Sequence, residues 1–222
     1  MDCCCRILEM KLPLYVVDAF TRVRFAGNPA AVVFLESDAV VDDDLKQKIA
    51  REMNLSETAF VSKLCMEDDF ATSSSFKVRW FTPANEVPLC GHATLATCAA
   101  IFEAAGNSSS ELQLESLSGP LSVTREDGKI VLNFPTRDTE PVAKNEYRDL
   151  IQTVVGDAPV NNVRYSPEAR KLLVRLQDHC TRTDLESLKP SPEHMLQLEK
   201  SGRVTGVMVT LKAQSDRYDF FL

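Results

Sequence analysis

Residues 92–105, HATLATCAAIFEAA, constrain the fold more than any other stretch of this 222-residue chain. Ten of these fourteen residues are Ala, Leu, Cys, Ile or Phe, and Glu103 is their only acid. The stretch has helical length, and a helix that is apolar all round must be buried on every side. Fourteen residues rise only about 21 Å as an α-helix, too little to cross a hydrocarbon core of about 30 Å. The helix therefore has to run through the middle of a lobe, with strands wrapped around it. Gly106-Asn107 follows as a helix stop.

The flanking sequence supplies those strands. Residues 12–20 and 30–35 are short, apolar and β-branched, separated by the breaker Gly27-Asn28-Pro29. Residues 42–53 read as an amphipathic helix: Asp42, Asp43 and Asp44 suit its positive end, and Val41, Leu45, Ile49 and Met53 form one stripe. Strands are expected at 57–64 and 76–82, then a loop at 83–89 where two prolines bracket the chain. After the central helix come strands at 111–117, 121–124 and 129–134, the last introduced by Asp127-Gly128. A linker at 135–144 precedes a helix at 146–155, strands at 160–165 and 171–176, short helices near 184–188 and 192–200, and a strand at 204–211. The rhythm predicts an α+β fold with an N-terminal lobe over 10–126 and a C-terminal lobe over 127–222. Nothing after residue 135 is as apolar as 92–105, so the second lobe lacks an obvious centre.

Composition narrows the function classes. Thirty-two Asp and Glu against 25 Lys and Arg leave a formal charge of −7 and no clustered basic face, which argues against a nucleic-acid partner. No run approaches the ~18 apolar residues of a membrane span, and the N-terminus has no secretory signal. The expected location is the cytosol, with no membrane partner. The seven cysteines are odd in number and form no C-x-x-C pair, and His92, His179 and His194 stand at no zinc-ligand spacing. A reduced, metal-free chain is expected. Residues 1–9, with Cys3, Cys4 and Cys5, read as an unstructured leader, S-acylation being the alternative.

Three places have chemistry in reach. Cys90-Gly91-His92 opens the apolar helix, where unpaired N–H groups and the dipole favour a carboxylate or phosphate. Gly91 admits a ligand close to the backbone, His92 is a donor to it, and Cys90 is a candidate pocket thiol. The same three residues are equally consistent with a capping histidine and a core cysteine. Glu57 opens a buried strand, so its carboxylate is placed at a partly desolvated edge suited to proton transfer; a solvent-facing Glu is the plainer alternative. Asn28, in Gly27-Asn28-Pro29, needs no explanation beyond a turn. Dinucleotide, P-loop and hydrolase-elbow motifs are absent.

Taken in order, D-A-F-T at 18–21, G-N-P-A-A-V at 27–32, M-N-L-S-E-T-A-F at 53–60 and R-W-F-T-P-A-N-E-V-P-L-C-G-H-A-T-L-A at 79–96 resemble the PhzF-like proteins, relatives of diaminopimelate epimerase. The resemblance implies an epimerase-like fold of two lobes, each a barrel-like sheet around a central helix. It implies a cofactor-independent isomerase, with Glu57 as general acid/base on a small carboxylated metabolite. Gly91 and His92 would bind the substrate's anionic group, Asn28 would line the pocket, and a homodimer is the family expectation. Cys90 stands where related epimerases keep a catalytic thiol, on which this branch does not depend. Family members continue with an E-D-P-x-T-G-S-A-H-like segment that opens a second central helix. This chain has no such segment after Tyr218-Asp219-Phe220, so the second lobe is expected to be incomplete. A truncated, catalytically impaired form acting as a binding protein is the alternative function.

Overall fold

A computed structural model describes residues 11–215 and 218–222. The expected leader lies outside these residues. The chain divides between Phe134 and Pro135 into two compact units, each with its own sheet and core.

The first unit is built on an eight-stranded sheet. Its strands are β1 (Leu14–Ala19), β2 (Asn28–Leu35), β3 (Thr58–Lys63), β4 (Ser75–Phe81), the short β5 (Glu86–Val87), β6 (Glu111–Ser116), β7 (Gly119–Glu126) and β8 (Lys129–Asn133). The order is β1-β2-β3-β4-β6-β7-β8, with β5 paired to β4. The pairs β2/β3 and β4/β6 are parallel and the others antiparallel. Asp127 and Gly128 both take positive φ, +49° and +71°, which is what a two-residue hairpin between β7 and β8 requires. That hairpin places β8 in this unit, so the division falls after 134 rather than after 126.

Helix α1 (Asp43–Met53) lies against β2, β3 and β4, and Asp42 caps it by accepting the Leu45 N–H at 2.8 Å. Its cover explains the sequence patterns. β2 and β3 are buried on both faces and read as unbroken apolar runs, whereas β6, covered on one face, alternates Leu112 and Leu114 with exposed residues. Against the other face packs helix α2 (Gly91–Ala99), whose Ala93, Ala96 and Cys98 join Phe76, Val78, Trp80, Leu112, Leu114 and Leu121 in one core. Trp80 is 1% exposed and its ring N–H has no hydrogen-bond partner among the described residues.

Two expectations for the central helix are corrected. Its last turn, Ala100–Ala104, is a π-turn closed by the Ala105 N–H on the Ala100 carbonyl, 3.1 Å. Burial is also not complete: Leu95 and Ala99 are half-buried, and Glu103 is exposed. These residues, four apart, line a groove with Val17 of β1 and Ile130 of β8. The cause is the sheet itself, whose end strands β1 and β8 do not pair. Beyond the helix, Gly106 takes φ +70° and the buried Asn107 amide donates to the carbonyls of Phe70 and Ser73, 2.7 and 2.8 Å.

The second unit carries β9 (Glu140–Pro141), α3 (Arg148–Val155), β10 (Val160–Ser166), β11 (Lys171–Leu176), α4 (Arg182–Glu186), α5 (Pro192–Leu198), β12 (Gly206–Ser215) and β13 (Tyr218–Phe221). Its five-stranded sheet runs β13-β12-β11-β10-β9, with β11 and β12 parallel. The sequence suggested no centre here, yet a core forms. Leu150, Ile151, Val154 and Val155, one face of α3, bury with Val163, Tyr165, Leu172, Val174, Leu176 and Leu211. An amphipathic helix on a sheet face needs no residue run apolar all round. No helix among the described residues is long and apolar enough to cross a membrane.

Candidate active site

Two elements of the first unit bring the site together. β3 fixes Glu57, the residue just before it: the Ala31 N–H of β2 donates to the Glu57 carbonyl at 3.2 Å, and β3 pairs in register with β2 and β4. The loop from β4 to α2 fixes the other side. Arg79 grips Glu86 with two hydrogen bonds of 2.7 and 2.8 Å, a bidentate geometry that ties the loop to β4. Thr82 Oγ1 accepts from the N–H groups of Ala84 and Asn85 at 3.1 and 3.0 Å. From α1, Gln47 Nε2 donates to the Thr82 carbonyl at 2.8 Å. The chain thus reaches Cys90 on a braced path. Thr94 Oγ1 then closes the first helical turn on the Cys90 carbonyl, 2.6 Å.

At the helix start, His92 lies among three neighbours. Its Nε2 is 3.3 Å from Glu57 Oε2 and 3.2 Å from Ser56 Oγ, and its Nδ1 is 3.4 Å from Cys90 Sγ. The His92 and Glu57 side chains are 11% and 17% exposed. Glu57 Oε2 is fully buried, and the approach of His92 lacks hydrogen-bond geometry, so this oxygen has no hydrogen-bond partner among the described residues. A buried, unsatisfied carboxylate oxygen is costly, and such a group in a folded protein calls for an explanation.

Cys90 Sγ lies within 4.8 Å of the Glu57 carboxylate. Burial, with the Glu57 carboxylate adding to it, pushes the Cys90 thiol up to about 11, and the N–H groups of His92 and Ala93 only partly oppose this. No side chain caps α2. Its first N–H groups, those of His92 and Ala93 facing the Cys90 sulfur, and the positive end of its dipole make this helix start favourable to negative charge. Gly91 stands between Cys90 and His92, and a Cβ there would touch only the Phe134 ring, at 3.5 Å. Packing does not demand this glycine.

Of the residues singled out in the sequence, the fold gathers Glu57, Cys90 and His92, with Gly91 between the last two. Their donor atoms all lie within 4.8 Å of one another, close enough to share a metal ion. Asn28 is different: it is exposed at the start of β2, opposite Ala19, and its side chain makes no hydrogen bond among the described residues. It stands at the sheet end that carries Glu57, since Ala31 pairs with Thr58. Ser56, which orients His92, was inside the motif around Glu57 but carried no signal of its own. Its role depends on a contact across 36 positions of sequence.

The family described as PhzC-PhzF, phenazine biosynthesis-like protein, matches residues 17–221. The chain belongs to this family. It is 50% identical over 216 residues to the phenazine biosynthesis-like domain-containing protein of Bos taurus, an alignment covering 96% of this chain and 74% of that one. A Pseudomonas aeruginosa protein named uncharacterized isomerase is 46% identical over 128 residues, 58% of this chain and 45% of that protein. Among solved structures, a PhzF family protein of Enterococcus faecalis superposes with TM-score 0.72 at 32% identity, covering 95% of this chain and 72% of that one. The PhzF fold of this chain is α+β and epimerase-like, as the motifs implied.

Proposed function

We propose that this PhzF-family chain carries out isomerase-type proton transfer on a small carboxylated metabolite, with Glu57 as general acid/base. The isomerase name of the P. aeruginosa relative supports the reaction class. The observation that carries the residue assignment is the buried, unpartnered Oε2 of Glu57, held 3.3 Å from His92 beside an uncapped helix start.

The chemistry follows from that arrangement. The substrate carboxylate sits on the N–H groups that open α2, at Gly91 and His92. Negative charge that develops as the neighbouring C–H breaks is then stabilised by donors already in place. Glu57 accepts the proton and returns it to another position of the same molecule, so atoms and charge balance without a cofactor. His92, oriented by Ser56, keeps the carboxylate facing the substrate. Asn28, at the same sheet end, lines the approach.

The test is solvent deuterium incorporation into a panel of small carboxylic acids bearing an α-hydrogen. Glu57→Gln should slow the exchange about 10²–10⁴-fold, the usual worth of a positioned acid/base. Equal rates in the two proteins would remove Glu57 from the mechanism. Binding of an acid with no exchange in either protein would favour a binding protein over an enzyme.

A further inference from the structure

Cys90 is a buried thiol at the centre of this site that proton transfer does not use. We propose that Glu57, Cys90 and His92 together form a binding site for one soft divalent cation, zinc above all. The three side chains offer one sulfur, one imidazole nitrogen and one carboxylate oxygen, all within 4.8 Å of one another. Zinc bonds of ~2.0–2.3 Å in a tetrahedral arrangement place donor atoms roughly 3.3–3.8 Å apart. The observed separations of 3.4 Å from Sγ to Nδ1 and 3.3 Å from Nε2 to Oε2 fall in that range. These two contacts use different ring nitrogens. A metal takes only one of them, so the third donor has to move inward from the 4.8 Å that the set spans.

Donor chemistry selects the ion. Thiolate and imidazole favour zinc and its soft neighbours over magnesium or calcium, which prefer all-oxygen shells. Three protein ligands leave the fourth position to water, the pattern of an open zinc site. Charge also balances: carboxylate and thiolate carry two negative charges, the imidazole is neutral, and the cation brings two positive ones. On binding, the Cys90 S–H bond breaks, an S–Zn bond forms and the proton leaves to solvent. The ion would satisfy Oε2 of Glu57, which otherwise has no hydrogen-bond partner among the described residues. No redox change occurs.

The experiment uses cobalt(II) as the optical probe, with the reduced full chain in which Cys3, Cys4 and Cys5 are replaced by Ser. A one-to-one titration should raise a thiolate-to-cobalt charge-transfer band, and added zinc should bleach it. Cys90→Ser should abolish the band, and His92→Gln and Glu57→Gln should each weaken binding at least about tenfold. Cys65→Ser, at an exposed cysteine, should change nothing. A band that survives Cys90→Ser, or affinity untouched by both His92→Gln and Glu57→Gln, would overturn the site, as would no band at all. Circular dichroism checks the fold of each variant; if Cys90→Ser unfolds, the His92→Gln affinity decides. No substrate enters this measurement, so it stands or fails apart from the isomerase reading. Only the further consequence, that zinc blocks deuterium exchange by occupying Glu57, rests on that reading.

Discussion

Two glycines near the site are kept for opposite reasons, and substitution separates them. A Cβ at Gly27 would lie 2.4 Å from the Ala19 carbonyl oxygen and 2.6 Å from Thr21 Cγ2, so the turn ahead of β2 has no room for it. Gly27→Ala should destabilise the first unit by about 1–3 kcal/mol, the usual cost of overpacking, read from urea denaturation. Gly91 has that room. Gly91→Ala should raise stability by ~0.4–1 kcal/mol through reduced unfolded-state freedom, while crowding the helix-start N–H groups and weakening carboxylate binding. Equal loss of stability in both variants would refute the distinction. These residues also mark what the sequence could disclose. At Gly91-His92 and at Glu57 the residues alone left a capping or solvent-facing alternative open, and only the motif resemblance gave them roles. Ser56 was not legible, since its partner arrives from a helix remote in sequence.

Among the elements, α1 departs most from its sequence pattern. The stripe of Val41, Leu45, Ile49 and Met53 pointed the right way, but the residues most deeply buried are Val41, Lys46 and Ala50. No periodicity argument would bury a lysine. Lys46 is 1% exposed because Asp38 meets it at 2.5 Å and also binds Lys77 at 2.7 Å. Burial pushes the Asp38 carboxyl up, but hydrogen bonds and charges from Lys46 and Lys77 outweigh it and hold the group below the usual carboxylate range. A carboxyl depressed on folding adds stability above its unfolded pKa of about 3.9 and loses it as pH falls through the folded value. Asp38→Asn should therefore cost about 1–2 kcal/mol near pH 7, less than the ~3–5 kcal/mol for breaking a fully buried pair because Asp38 is 25% exposed. Urea titrations should show the gap between the two proteins closing below about pH 4. A gap independent of pH would assign the loss to packing instead.

At the scale of the molecule, the α+β class and most strands were readable, because β2, β3, β4 and β6 carry strong apolar or alternating patterns. Sheet order was not, since the parallel pairs β2/β3 and β4/β6 join strands with long connections between them. The open edge between β1 and β8 was hidden for the same reason: a burial pattern tells which face is covered, never which strand comes next. Within the first unit lies Trp80, the chain's single tryptophan. Its ring N–H makes no hydrogen bond among the described residues, whereas buried indoles usually find a partner. Dry and unbonded, this indole should fluoresce at the blue end of the tryptophan range. Its red shift in denaturant should report the melting of residues 11–134. A fragment ending at Phe134 should keep the parent emission maximum, and a shifted maximum would show that its core needs the rest of the chain. The protein thus carries an intrinsic lamp, set in the core of the first of its two units.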